Sequence, residues 1–69
     1  MKIVLNGAWR ELPGSAGLVD LPTALRLLGF GGAVVATALN GEFVPVSARA
    51  HTALRDGDRL EVLAPMQGG

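Results

Sequence analysis

Cysteine is absent from the chain, and histidine occurs once, at His51. No disulfide, zinc–thiolate cluster, iron–sulfur site or thiol nucleophile can therefore come from this chain alone. A Ser-His-Asp arrangement would need His51 beside Ser15 or Ser47, inside a domain too small to build a cleft around it. Aromatics are scarce as well: one Trp and two Phe are too few for a base-stacking surface. Neither sign of charge is in excess, since six Lys plus Arg balance six Asp plus Glu. Neutrality and few aromatics together count against nucleic-acid binding. No long apolar run exists either. The longest stretch free of charge or strong turn signals, about Phe30 to Leu39, falls well short of the ~20 residues needed to span a bilayer. The opening Met1-Lys2-Ile3-Val4-Leu5-Asn6 lacks the long apolar region and small-residue cleavage site of a signal peptide. These absences lead us to expect a soluble, cytoplasmic protein, badly equipped to be an enzyme.

What remains is a chain of 69 residues, 49% apolar and 17% charged, with ten glycines and four prolines. That composition argues for a globular fold over disorder. The length allows one domain, which buries only roughly 60% of the surface its unfolded form exposes.

Lys2-Ile3-Val4-Leu5 is a β-branched apolar run ending at Asn6-Gly7, a strong short hairpin signal. Both central positions of a type I′ turn need positive φ, which Asn and Gly tolerate. The returning strand is Ala8 to Leu12, stopped by Pro13-Gly14-Ser15. Leu21, Ala24, Leu25 and Leu28 then fall at i, i+3, i+4 and i+7, one face of a helix. Asp20 is its N-cap, Pro22 lies in the first turn and Gly29 is the stop, so the spacing predicts a helix over about 20–29. Ala33 to Leu39 has strand composition and ends in a second Asn-Gly, Asn40-Gly41, before Glu42-Phe43-Val44-Pro45. Ser47 to Leu54 reads either as a short helical turn or as an irregular crossover. Asp56-Gly57-Asp58 is a turn, and Arg59 to Ala64 alternates like a last strand, ended by Pro65.

One amphipathic helix must cover one face of a mixed sheet of four or five short strands. The last strand inserts most simply beside the first, in parallel, closing the core over Leu25 and Leu28. This is an α+β chain on the β-grasp plan.

Few residues offer chemistry. Gly29-Phe30-Gly31-Gly32 follows a helix and has no Lys-Ser/Thr, so it reads as a helix stop, not a phosphate cradle. Asp56-Gly57-Asp58 lacks the rest of a calcium loop and reads as a β-turn. His51 reads as a surface residue. Arg49, Arg55 and Arg59, offset by Asp56, Asp58 and Glu61, read as a solvated rim. The feature that stands out is the final Gly68-Gly69. Such an end arises by chance in about 0.5% of chains at average glycine usage, and in nearer ~2% at this chain's own content. A diglycine end is bare backbone with an unhindered carboxylate. It can pass through a channel too narrow for a Cβ, while Pro65 stiffens its base. That suits a carboxylate presented to another enzyme's active site.

Three stretches, Ala38 to Pro45, Leu54 to Val62, and Met66-Gln67-Gly68-Gly69, together resemble the ThiS sulfur carriers of bacterial thiamine synthesis. The likeness spans nearly the whole chain, through the opening strand and turn and the Leu-rich helix ending Leu28-Gly29-Phe30. It implies a ubiquitin-like β-grasp over residues 1–65 and a flexible tail over 66–69. It also implies a mechanism. An E1-like adenylyltransferase (ThiF-like) uses ATP and Mg²⁺ to convert the Gly69 carboxylate into an acyl-adenylate. A sulfur donor such as a cysteine desulfurase displaces AMP and leaves a thiocarboxylate. Thiazole synthase (ThiG-like) then takes that sulfur for the thiazole of thiamine. Gly69 carries the reactive group, Gly68 serves passage through the partner's channel, and the chain itself binds no cofactor and catalyses nothing. Pro65 before the diglycine also resembles the small subunit of molybdopterin synthase, although that family is usually longer. Molybdopterin synthesis, tRNA thiolation, ubiquitin-like conjugation and a β-grasp interaction module without tail chemistry stay as alternatives.

A sheet with one helix leaves its second face open. Alternation sets Val4, Trp9, Phe43 and Leu63 at that face or in the core, and part of it near the tail, with Met66, is the expected docking surface. No nucleic acid or membrane partner is implied, and the free protein is expected to be a monomer.

Overall fold

The computed structural model describes residues 1–13 and 17–64. Pro65, Met66, Gly68 and Gly69 lie outside the described residues. Strands β1 (Lys2–Leu5) and β2 (Ala8–Glu11) form the first hairpin. Leu5 sits opposite Ala8, leaving the two-residue loop Asn6-Gly7 with φ of 49° and 86°. Both values are positive, as a type I′ turn requires. Strand β4 (Ala36–Leu39) and strand β5 (Glu42–Val44) repeat the device around Asn40-Gly41, with φ of 51° and 87°.

Between the hairpins lie β3 (Leu18–Asp20) and helix α1 (Leu21–Leu27). Asp20 caps the helix, accepting a hydrogen bond from the Thr23 N–H at 2.9 Å. Pro22 occupies the first turn, and Gly29 follows the Leu28 C-cap in the left-handed conformation, φ 95°. Leu21, Ala24 and Leu25 are buried, while Leu28 packs half-buried at the margin of the core. A 3₁₀ helix (Val46–His51) leads to β6 (Ala53–Arg55) and then to β7 (Arg59–Leu63).

The main sheet has the order β2-β1-β7-β4-β5. Strand β7 runs parallel to β1, as the sequence predicts for the last strand, and antiparallel to β4 on its other side. Alternation along β7 buries Leu60 and Val62 and exposes Arg59, Glu61 and Leu63. Its buried residues meet Ile3, Leu5, Leu12, Leu21, Leu25 and Leu54 in one core beneath the helix.

Two details depart from the sequence reading. Residues 33–35 precede β4 instead of belonging to it: Gly32, with φ 82°, turns the chain there. A second, two-stranded sheet pairs β3 with β6 antiparallel, Val19 opposite Leu54. Three-residue strands leave too little alternation to be read from sequence. The ambiguous Ser47 to Leu54 segment is a short helical turn, the 3₁₀ helix, that runs into β6, a strand that neither option included.

Thr23, through its side chain and then its backbone N–H, draws the Asp20 carboxyl below its usual value of 3.8, with Arg26 adding a smaller effect. The stabilisation this cap provides is present above that value and is lost as pH falls below it. Asp20→Ala is expected to lower the melting temperature at pH 7. The gap to the parent should narrow below pH 3.8, and Asp20→Asn should hold the cap with no such pH dependence; thermal melts across pH check this.

Candidate functional site

Strand β7 ends at Leu63 in the middle of the sheet, so the chain leads toward residues 65–69 from a fixed central position. The turn before it acts as a junction. The Asp56 carboxylate accepts from the Lys2 N–H at 2.7 Å, and the Gly57 N–H donates to the Lys2 carbonyl at 2.7 Å. One Asp58 carboxylate oxygen accepts from the Arg55 N–H at 2.8 Å, and the other accepts from the Asn40 Nδ2 at 3.2 Å. The Asp-Gly-Asp motif thus ties β1, β6 and the second hairpin to the start of β7. No metal-binding group of His, Asp and Glu exists among the described residues.

The open face of the sheet is the second component. Cross-strand register sets Trp9 beside Val4, Phe43 beside Ala38 and Leu63 beside Ala36. All six side chains lie on the face away from the helix, because their neighbours Ile3, Leu5, Leu60, Val62, Thr37 and Val44 point into the core. Trp9, Phe43 and Leu63 are exposed by 66%, 70% and 65%, and Val4 is half-buried. The four predicted docking residues therefore all fall on this face, but not in one patch. Phe43 and Leu63 share a groove with Ala36, Ala38 and Glu61, next to the end of β7. Trp9 stands at the opposite sheet edge, in a groove with Lys2, Arg10 and Glu11. Met66 lies outside the described residues.

Val34, exposed by 79%, extends the apolar groove past Leu63 and Ala64 and was not among the predicted positions. Nor were the two alanines beneath the groove, Ala36 and Ala38. The signal for them was present: a two-residue turn at Asn40-Gly41 fixes Ala38 opposite Phe43, on the same face.

Of the three arginines read as a rim, Arg55 and Arg59 are exposed, as is His51. Arg49 differs. It is half-buried, its Nε donates to the Thr37 hydroxyl at 3.2 Å, and its Nη2 donates to the Val35 carbonyl. Thr37, the one buried polar residue among those described, donates its own O–H to the Val44 carbonyl at 2.9 Å. Arg49 is thus a brace between the 3₁₀ helix and β4. Among the described residues, no helix is long and apolar enough to cross a membrane.

A five-stranded mixed sheet with one main helix and a central, parallel last strand defines a ubiquitin-like β-grasp protein. The sequence model of the ThiS family matches residues 3–69, and the chain belongs to that family. A crystal structure of the thiamine biosynthesis protein ThiS from Geobacter metallireducens is 31% identical, covers all of both chains and superposes with a TM-score of 0.84. A solution structure of a thiamine biosynthesis protein from the same organism is 30% identical, covers all of this chain and 88% of that one, and gives a TM-score of 0.81. A thiazole synthase of Paramagnetospirillum magneticum is 39% identical over all 69 residues, which span only 20% of that relative's length.

The exposed groove contributes little to folding. Phe43→Ala and Leu63→Ala are each expected to cost less than about 1 kcal/mol, as exposed positions do. Leu60→Ala, at a fully buried position of the same strand, should cost about 2–5 kcal/mol. Urea titrations of the three variants check the contrast.

Proposed function

We propose that this chain is a sulfur carrier for the thiazole half of thiamine, with Gly69 as the attachment point. The observation that carries the reading is the ThiS family match through residue 69, which takes in the diglycine that ends the sequence. The alignment of the whole chain with one fifth of a thiazole synthase supports the pathway. In that relative a segment like this chain belongs to the same polypeptide as the synthase, as two parts that work together would.

The chemistry is as follows. A Gly69 carboxylate oxygen attacks the α-phosphorus of ATP in an E1-like adenylyltransferase, and pyrophosphate leaves with its Mg²⁺. The terminal sulfur of a persulfide, carried by a donor such as a cysteine desulfurase, attacks the carbonyl carbon of the acyl-adenylate, and AMP departs with the original carboxylate oxygen. A second thiol then cleaves the S–S bond of the resulting acyl disulfide, supplying the two electrons and becoming a disulfide, and a thiocarboxylate is left on Gly69. Thiazole synthase takes the sulfur into the ring, and the carrier regains an oxygen as carboxylate. ATP and Mg²⁺ belong to the activating partner. This chain supplies the carboxylate, Gly68 to pass a narrow channel without a Cβ, and a surface to hold the partner.

That surface is the groove of Phe43, Leu63, Ala36 and Val34, because it adjoins the strand that leads to the tail. Val4 and Trp9 extend the same face toward the far edge. Apolar side chains so exposed on a small protein mark a partner site.

Incubation with the activating enzyme, ATP and a sulfur donor should raise the intact mass by the difference between sulfur and oxygen. Deletion of Gly69 should abolish the gain. Charged substitutions at Phe43 and Leu63 should cut the rate of the gain by about tenfold or more, as loss of a buried interface anchor does. No mass gain in the parent, or full function without Gly69, would contradict the reading.

A further inference from the structure

Both hairpin turns begin with an asparagine in the left-handed conformation, and both asparagines reach the same strand. Asn40 sits at the start of β7. Its Oδ1 accepts from the Arg59 N–H at 2.9 Å, while its own N–H donates to the Arg59 carbonyl at 2.7 Å. Asn6 sits near the other end. Its backbone N–H donates to the Leu60 carbonyl at 3.0 Å, the last backbone bond from β1 before the chain turns away. The side chain continues where the backbone stops: Oδ1 accepts from the Val62 N–H at 2.9 Å, and Nδ2 donates to the Val62 carbonyl at 3.1 Å. An amide has one acceptor and one donor edge, so it satisfies both backbone groups of Val62 as a further strand residue would.

Asn6 is therefore the support of the outgoing half of β7 on its β1 side. On the other side Leu63 is paired with Ala36. Gly69 lies seven residues beyond Val62, a reach of up to about 25 Å when extended. The direction of Val62 and Leu63 sets where that reach begins.

We infer that Asn6 is a positioning residue: its two-point clasp on Val62 fixes the direction in which the chain leaves the sheet for the partner's active site. The inference rests on the carrier reading for its consequence, although the clasp itself does not. Misplacement of reacting atoms by about 1 Å can cost about a hundredfold in rate. The clasp therefore governs turnover at the Gly69 carboxylate more than the affinity of docking.

Asn6→Gly is the clean variant, since glycine keeps the positive φ and removes only the clasp. Asn40→Gly is the control, with the same turn position and the same strand, at the end away from the tail. Two readouts are taken. In the free protein, NMR relaxation should show the order of Leu63 and Ala64 reduced in Asn6→Gly and unchanged in Asn40→Gly. In adenylation by the activating enzyme, kcat should fall about ten- to a hundredfold in Asn6→Gly, with KM within about twofold of the parent, and Asn40→Gly should match the parent. If Asn6→Gly fails to fold, Asn6→Asp keeps the acceptor for the Val62 N–H, loses the donor, and should give the same pattern at smaller amplitude. Equal effects of the two glycine variants, a rise in KM alone, or unchanged order at Leu63 and Ala64 would overturn the inference. A parent that is not adenylated at all would contradict the carrier reading, and the relaxation measurement would still decide the role of the clasp.

Discussion

The insertion of β7 between β1 and β4 is the constraint on which the rest of the fold depends. The last strand of the sequence fills the centre of the sheet, so neither hairpin has its neighbour until the chain is almost complete. Hairpins of this size are marginal alone, and pairing to a shared central strand removes two edges at once. Leu60, fully buried, brings the strand's inner face against Ile3, Leu21 and Leu54. The Asp-Gly-Asp turn sets where the strand begins, through bonds to Lys2 and Asn40. Every part of the main sheet thus bears on how one strand is held.

That arrangement also assigns the two faces different work. The inner face is apolar and closed by α1 and the 3₁₀ helix. The outer face carries Phe43 and Leu63 above alanines, next to the point where β7 hands over to the tail. On the reading proposed above, this division keeps stability and recognition on different residues of a 69-residue chain.

Much of this was legible in the sequence, and for specific reasons. The two Asn-Gly pairs fix turn type and register together, because two-residue loops leave no freedom to slip. The Leu21, Ala24, Leu25 spacing and the Asp20 cap fix the helix, and the alternation of Arg59 to Leu63 fixes the inner face of β7. The short β3–β6 pair was not legible, since three residues carry no periodicity. Nor were the roles of Asn6, Asn40 and Arg49. Their side chains bond to backbone groups of other strands, and no local pattern records which carbonyl a distant strand brings near. The division of the open face into a Phe43–Leu63 groove and a separate Trp9 edge needed the strand order itself. Gly68 and Gly69 stand out by composition and place alone, and they lie outside the described residues.

The central claim is that sulfur travels on Gly69 into a thiazole. Charging the protein with radiolabelled sulfur, isolating it, and mixing it with thiazole synthase and the remaining substrates tests that claim most directly. The account predicts that label leaves the protein and appears in the thiazole product, in proportion to the carrier consumed. Label that stays on the protein, or moves to lysine conjugates or to another sulfur-containing product with none in the thiazole, would contradict it.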